Sequence, residues 1–196
     1  MSDIILTIAI PSIESRKIKF WSLHDTIENQ IVASGLQKEV ELIYFIDNKE
    51  ISIGAKRQKL IDLAKGKYLV MIDDDDTVDR YYVPEVVAAC RMDADTVGYY
   101  EQIHHSRKLS VITNRAKEWS EQPAFGADFV RTPFFKNPIK TELCRQVGCK
   151  DIRFGEDKDF AVRIKPLIKT EYFLDKIMYH YRYSFEDHNK KYGIKA

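Results

Sequence analysis

A chain of 196 residues, 44% apolar and 31% charged, has the length and composition to bury one globular core, which excludes a disordered or fibrous protein. Its net charge of +1, from 31 Lys and Arg against 30 Asp and Glu, gives no global reason to expect nucleic-acid or membrane binding, although a local cluster such as Lys56-Arg57-Gln58-Lys59 can still serve a phosphate. Three cysteines without metal-ligand spacing (Cys90, Cys144 and Cys149), no signal-peptide pattern and no apolar stretch of membrane-spanning length set the expectation of a reduced, cytoplasmic protein without a membrane span.

The near-continuous run Ile4 to Ile10 reads as a strand buried on both faces and ended by Pro11-Ser12. Phe20, Leu23, Ile27 and Ile31 recur at helical spacing and predict a helix over about residues 17–34, stopped by Gly35. Val40 to Ile46 is the second predicted strand, ending at Asp47-Asn48. The next helix is expected from about Ser52 to Lys65, with Leu60, Leu63 and Ala64 inward and Gly66 as its cap. Tyr68 to Ile72 is the third strand. Strand, helix, strand, helix, strand at this spacing implies right-handed crossovers and a parallel sheet.

The second half is less regular. A helix over about residues 82–92 precedes a strand at Thr96 to Tyr100 and, through a polar connection, a hairpin partner at Leu109 to Ile112. Residues 114–136 are irregular. Asn137-Pro138 has the form of a helix start, with Asn as N-cap and Pro at the first helical position. Two final strands are expected at Glu171 to Leu174 and Lys176 to Arg182, with Tyr179, Tyr181 and Tyr183 alternating.

Asp73-Asp74-Asp75-Asp76 stands at the exit of the third strand. Adjacent carboxylates repel one another, so the run adds no stability by itself. A hard divalent cation requires oxygen ligands of this kind, with positions left open for phosphate oxygens; a solvated turn capping the next helix is the plain alternative. Ligand crevices in parallel sheets lie off the carboxyl ends of the strands, where Pro11-Ser12, Asp47-Asn48 and the aspartates converge. A second acidic cluster, Glu156-Asp157-Lys158-Asp159, opens a helix about 80 residues later. It reads either as favourable charge in a first helical turn or as a general base near the crevice.

In chain order, Thr7-Ile8-Ala9-Ile10-Pro11-Ser12, Phe45-Ile46-Asp47-Asn48, Gly54-Ala55-Lys56-Arg57-Gln58, Ala64 to Asp76 and Gly155-Glu156-Asp157 resemble the family-2 glycosyltransferases of the GT-A fold. The resemblance spans nearly the whole chain and is most specific over residues 54–76. It implies an α/β fold of GT-A type: a nucleotide-binding αβα sandwich with a mostly parallel central sheet and a smaller mixed acceptor-side region. Residues 1–196 then form a single domain, with the nucleotide-sugar half at about 1–100 and the acceptor and catalytic-base half at about 101–196.

The resemblance further implies a UDP-sugar or another nucleoside-diphosphate sugar as donor, and Mn²⁺ or Mg²⁺ as cofactor. Pro11, Ser12 and Asp47 match the positions that hold the nucleotide base, and Arg57 the basic residue along the nucleotide. Asp73 approaches the ribose or the metal, Asp74 lies between on the donor side, and Asp75 binds the metal, with His180 as third ligand or His188 in its place. Asp157 matches the catalytic base, with Glu156 orienting the acceptor, and the implied outcome is inversion.

The chain departs from the family pattern at Asp47-Asn48-Lys49-Glu50. Acceptor recognition is expected from residues 101–140 or from a partner subunit, a homo-oligomer included. A glycan is the family-level acceptor, while Arg107, Lys108, Arg115, Trp119, Phe134, Phe135 and Lys136 would also suit a flipped hydroxymethylated DNA base. A nucleotidyltransferase, which would show a Gly-rich basic loop after the first strand, and a non-catalytic sugar-nucleotide-binding subunit are the rival readings.

Overall fold

β1 (Leu6–Ile13) is buried along nearly its whole length because it runs between two parallel neighbours, β2 (Val40–Asp47) and β3 (Tyr68–Met71). The computed structural model describes residues 4–182, so Tyr183 and His188 lie outside the described residues. The strand continues past Pro11 to Ile13 rather than ending there, with Pro11 opposite Phe45 of β2. Pairing with β3 stops at Ala9, so the N–H that Pro11 lacks removes no bond on that side.

α1 (Lys17–Ala33) buries Phe20, Leu23, Ile27 and Ile31 as their spacing predicts, and Gly35 at φ +70° turns the chain out of the helix. α2 (Ile53–Leu63) starts at Ser52, whose Oγ accepts from the Ala55 N–H at 3.0 Å. Its inward face is Arg57, Leu60, Ile61 and Ala64, and Leu63 is exposed, contrary to expectation. Gly66 does not cap the helix. It sits where β1 passes so closely that a Cβ would lie 2.5 Å from the Thr7 nitrogen.

Beyond β3 come β4 (Thr77–Val78), α3 (Tyr82–Cys90) and the hairpin of β5 (Thr96–Ile103) with β6 (Lys108–Ile112). β7 (Phe129–Arg131) lies parallel to β6, and β8 (Ile139–Lys140) fits antiparallel between β3 and β5. α4 (Thr141–Val147), α5 (Glu156–Ile164) and β9 (Glu171–Tyr181) complete the described chain. The strand order is β2-β1-β3-β8-β5-β6-β7, with β9 parallel to β5 and antiparallel to β4. This is the expected α/β fold around a central, mostly parallel sheet.

Two local expectations fail for tertiary reasons. Asn137 does not cap a helix. Its fully buried side chain accepts from the Phe134 N–H at 2.9 Å and donates to Thr96 Oγ1 at 2.6 Å and Val97 O at 3.1 Å, tying the loop to β5. The helix begins later, at Thr141, whose hydroxyl donates to Gly66 O at 2.7 Å. The two final strands are one, β9. Exposed Asp175 and Lys176 lie near a register shift opposite Gly98 and Tyr100, an irregularity in a continuous strand rather than a turn. Among the described residues, no helix is long and apolar enough to cross a membrane.

Candidate active site

The carboxyl ends of β1, β2 and β3 are tied together by side chains. Lys56 of α2 is buried; its Nζ pairs with Asp47 at the end of β2 and donates to Ser12 O, at the end of β1, at 2.5 Å. Ser12 Oγ donates to Asp74 Oδ2 at 2.6 Å. Burial raises the Asp47 pKa, but the hydrogen bond and charge of Lys56 together with the Ile51 and Lys49 backbone N–H groups outweigh it and hold the carboxyl below its usual range. Pro11, Ser12 and Asp47 are thus brought to one place with Lys56, which neutralises Asp47 instead of facing solvent for a phosphate. The apparent basic cluster is divided: Lys56 and Arg57 are buried and Lys59 is exposed.

The four aspartates form a turn closed by the Asp76 N–H donating to Asp73 O at 3.0 Å. Alternate side chains face opposite ways. Asp74 and Asp76 are 3% and 2% exposed. The side chains of Asp73 and Asp75 are 27% and 28% exposed. Asp76 is not solvated: its Oδ2 accepts from Lys136 Nζ at 3.0 Å and Tyr179 OH at 2.8 Å, and its Oδ1 from the Arg182 N–H at 2.8 Å. Burial nonetheless pushes its pKa up to about 6. Lys136 also donates to Glu101 Oε1 at 3.1 Å and lies over the Tyr179 and Tyr181 rings.

Arg57 connects this turn to the second acidic cluster. Its Nη2 donates to Asp73 Oδ1 at 2.9 Å and its Nε to Glu156 Oε1 at 3.3 Å, and the guanidinium lies 4.9 Å over Phe135. Burial opposes the charge on Arg57, but Asp73 and Glu156 outweigh it and raise its pKa. Burial likewise would raise Asp73, yet Arg57 and Lys136 hold it low. Gly155, at φ +77°, turns the chain into α5, so that Glu156 is buried against Arg57 while Asp157 remains partly exposed in the first turn. Burial raises Glu156, with Arg57 opposing.

The carboxylates of Asp47, Asp73, Asp74, Asp75, Asp76, Glu101 and Glu156 outnumber the cations Arg16, Lys56, Arg57 and Lys136 gathered with them. That imbalance attracts a cation and repels a bare diphosphate. At Asp75 burial raises the pKa, Arg16 at 2.9 Å opposes this, and Asp73 and Asp74 add to the rise. Magnesium and manganese ions are commonly held by one or two carboxylates plus phosphate oxygens and water, and Asp75 with Asp73 fits such a partial site. Among the described residues no group of three His, Cys, Asp or Glu side chains is placed to hold a metal ion. His180 sits opposite Thr77, its Nδ1 3.2 Å from His104 Nε2, and is not joined to Asp73 and Asp75 in such a group.

No protein-family model matches the chain, and no curated protein sequence matches it. Solved structures do. The crystal structure of S. aureus TarS 1–349 superposes with a TM-score of 0.65 at 16% identity, covering 95% of this chain and 63% of that one. Its complex with UDP-GlcNAc gives a TM-score of 0.65 at 14% identity, over 92% of this chain and 59% of that one. A197 from STIV gives 0.52 at 16% identity, over 92% and 87% respectively. The fold is shared. The chain spans less than two thirds of the TarS structures it matches.

Several residues of the site carry no sequence signal of their own. Arg16 follows β1 in a loop read as lacking a phosphate-binding glycine, and Tyr179 reads as one of an aromatic alternation. Lys136 reads only as one of the basic and aromatic residues that would suit an acceptor, but Phe134, Phe135 and Lys136 are all buried. Met71 N–H donates to Phe135 O at 2.7 Å, and Phe135 stacks on Phe160 at 3.9 Å, which places this loop inside the fold.

Proposed function

We propose that the chain is a glycosyltransferase that moves a sugar from a UDP-sugar to an acceptor hydroxyl, with Asp157 as base and inversion at the anomeric carbon. One observation carries this reading: Arg57 binds Asp73 and Glu156 at once, joining two acidic motifs far apart in sequence at the carboxyl ends of the parallel strands. The likeness of the fold to TarS, solved with UDP and with UDP-GlcNAc, supports a nucleotide-sugar donor.

In this mechanism the Asp47–Lys56 pair and Ser12 border the nucleotide, and Asp73, fixed by Arg57, meets the ribose. Asp75, with Asp73, would hold a Mg²⁺ or Mn²⁺ ion, which offsets charge on the departing diphosphate. Asp157 takes the proton of the acceptor hydroxyl as its oxygen bonds to the anomeric carbon and the bond to the diphosphate oxygen breaks. Glu156 orients the acceptor. A carboxylate needs no tuning to be ionised at neutral pH. The acceptor is read as a glycan, the acceptor class that the family resemblance implies; Phe134, Phe135 and Lys136 are buried and offer no surface to a flipped hydroxymethylated base, while Arg107, Lys108 and Arg115 are exposed.

Asp157→Asn tests the assignment. Transfer is expected to fall about 10²- to 10⁴-fold while UDP binding is retained. Unchanged transfer would remove Asp157 from the role. Assays with radiolabelled UDP-sugars against glycan extracts and hydroxymethylated DNA separate the two acceptor classes.

A further inference from the structure

Arg16 is held unlike the other cations of the crevice. The side chains of Lys56, Arg57 and Lys136 are 3%, 7% and 10% exposed, whereas that of Arg16 is 42% exposed. It ends the short 3-10 helix Glu14–Arg16 after β1, and its Nη1 reaches both Asp74 Oδ1 at 2.8 Å and Asp75 Oδ2 at 2.9 Å. One positive group therefore bridges two neighbouring carboxylates on the outer side of the acidic turn. Asp74 has a second donor in the Ser12 hydroxyl and keeps a partner if Arg16 leaves.

We propose that Arg16 is a tethered counter-ion: it occupies the Asp75 side of the turn in the donor-free protein and is displaced when a divalent cation arrives with a nucleoside diphosphate, so that the two bind together. The inference rests on the donor reading given above. The Arg16–Asp75 pair, 42% and 28% exposed, is partly screened by water and weaker than a buried one, so it exchanges more readily. The buried pairs of Lys56, Arg57 and Lys136 do not, because removing one partner strands a buried charge. A dication entering alone must evict a positive group and gains only the difference between the two attractions. One entering with a diphosphate gives the released guanidinium new partners in the phosphate oxygens, which suit its planar fork. By linkage, cation and diphosphate then raise each other's affinity by the same factor.

The test is Mn²⁺ binding, read from the electron paramagnetic resonance signal of the free ion, with and without UDP. Wild type should bind Mn²⁺ about tenfold more tightly with UDP than without it. Arg16→Met should bind Mn²⁺ alone about tenfold more tightly than wild type does, with the effect of UDP correspondingly reduced. Arg16→Lys, which keeps the charge, should stay near wild type. Adding Asp75→Asn to Arg16→Met should abolish the gain. Equal nucleotide-free affinities in wild type and Arg16→Met overturn the proposal, as does a lack of Mn²⁺ binding in every protein. If UDP-sugars bind while Mn²⁺ affinity ignores residue 16, the exchange fails and the sugar-transfer reading stands. If Arg16→Met gains Mn²⁺ binding but no protein binds UDP, Arg16 still competes with the cation at Asp75, while joint binding with a diphosphate and the sugar-transfer reading both fall.

Discussion

Arg57 Nε and Glu156 Oε1 stand 3.3 Å apart although 99 positions separate them in the chain. The same guanidinium holds Asp73, so neither carboxylate has an equal substitute for it. Arg57→Met should lower unfolding stability by about 3–5 kcal/mol, the usual cost of breaking a buried ion pair from one side. Arg57→Lys should recover part of this at most, because one ammonium cannot span both carboxylates as a planar fork does. Urea unfolding of the three proteins measures it; full recovery by lysine would refute the bridging role.

Tyr179 donates to Asp76 Oδ2 at 2.8 Å, and its hydroxyl accepts from the Asp73 N–H at 3.2 Å, so one oxygen fixes both ends of the acidic turn. Tyr179→Phe keeps the ring over which Lys136 lies and removes that oxygen. The expected loss is about 1–3 kcal/mol, since two buried groups lose a partner. UDP affinity should weaken with it. A variant as stable as wild type would show that the hydroxyl does not shape the turn.

Gly54 lies under the segment that leads into α5: a Cβ there would stand 1.8 Å from Lys150 O. Backbone cannot give way as a flexible side chain does, so Gly54→Ala must push the start of α2 from residues 150–152. Overpacking of this kind costs about 1–3 kcal/mol. Because α2 carries Lys56 and Arg57, the proposed sugar transfer should fall as well. Thermal unfolding and transfer rates together check this; an unperturbed variant would mean the two segments are not in close contact.

Burial lowers the His180 pKa, and His104 beside it lowers it further. The unfolded chain, with histidine near its ordinary value of about 6.5, then binds more protons than the folded one at mildly acidic pH. Stability from this group is therefore complete above that value and is lost as the pH falls from it toward the folded pKa. Urea midpoints should drop between pH 7.5 and 5.5 more steeply for wild type than for His180→Asn. Equal slopes would mean that His180 titrates alike in both states.

The first half of the fold was legible because each element carries its own pattern: β1, β2 and β3 as apolar runs, α1 as a one-sided stripe. The second half was not, because its signals are overridden from a distance. Asn137-Pro138 has the local chemistry of a helix start, yet Thr96 and Val97 take up the Asn137 side chain. The polar pair Asp175-Lys176 resembles a break, but pairing with β5 carries the strand through it. The site divides likewise. Clustered carboxylates stand out in a sequence by residue type alone. Lys136 lies in Pro133-Phe134-Phe135-Lys136-Asn137-Pro138, where no local pattern marks it as a buried partner of the aspartates, and acquires that role only when β3, β5 and β9 bring Asp76, Glu101 and Tyr179 around it.

The partners of Asp76 have a consequence for the order of folding. Lys136, Tyr179 and the Arg182 N–H all follow it in the chain, the last by 106 positions. At translation rates of about 5–20 residues per second, the inner carboxylate of the turn waits roughly 5–20 s for its last partner to be made. β1, β2 and β3 can pair in that interval, with the aspartates still repelling one another at their edge. The crevice is thus among the last parts to take shape, and a nascent chain that already holds its parallel strands does not yet hold a site.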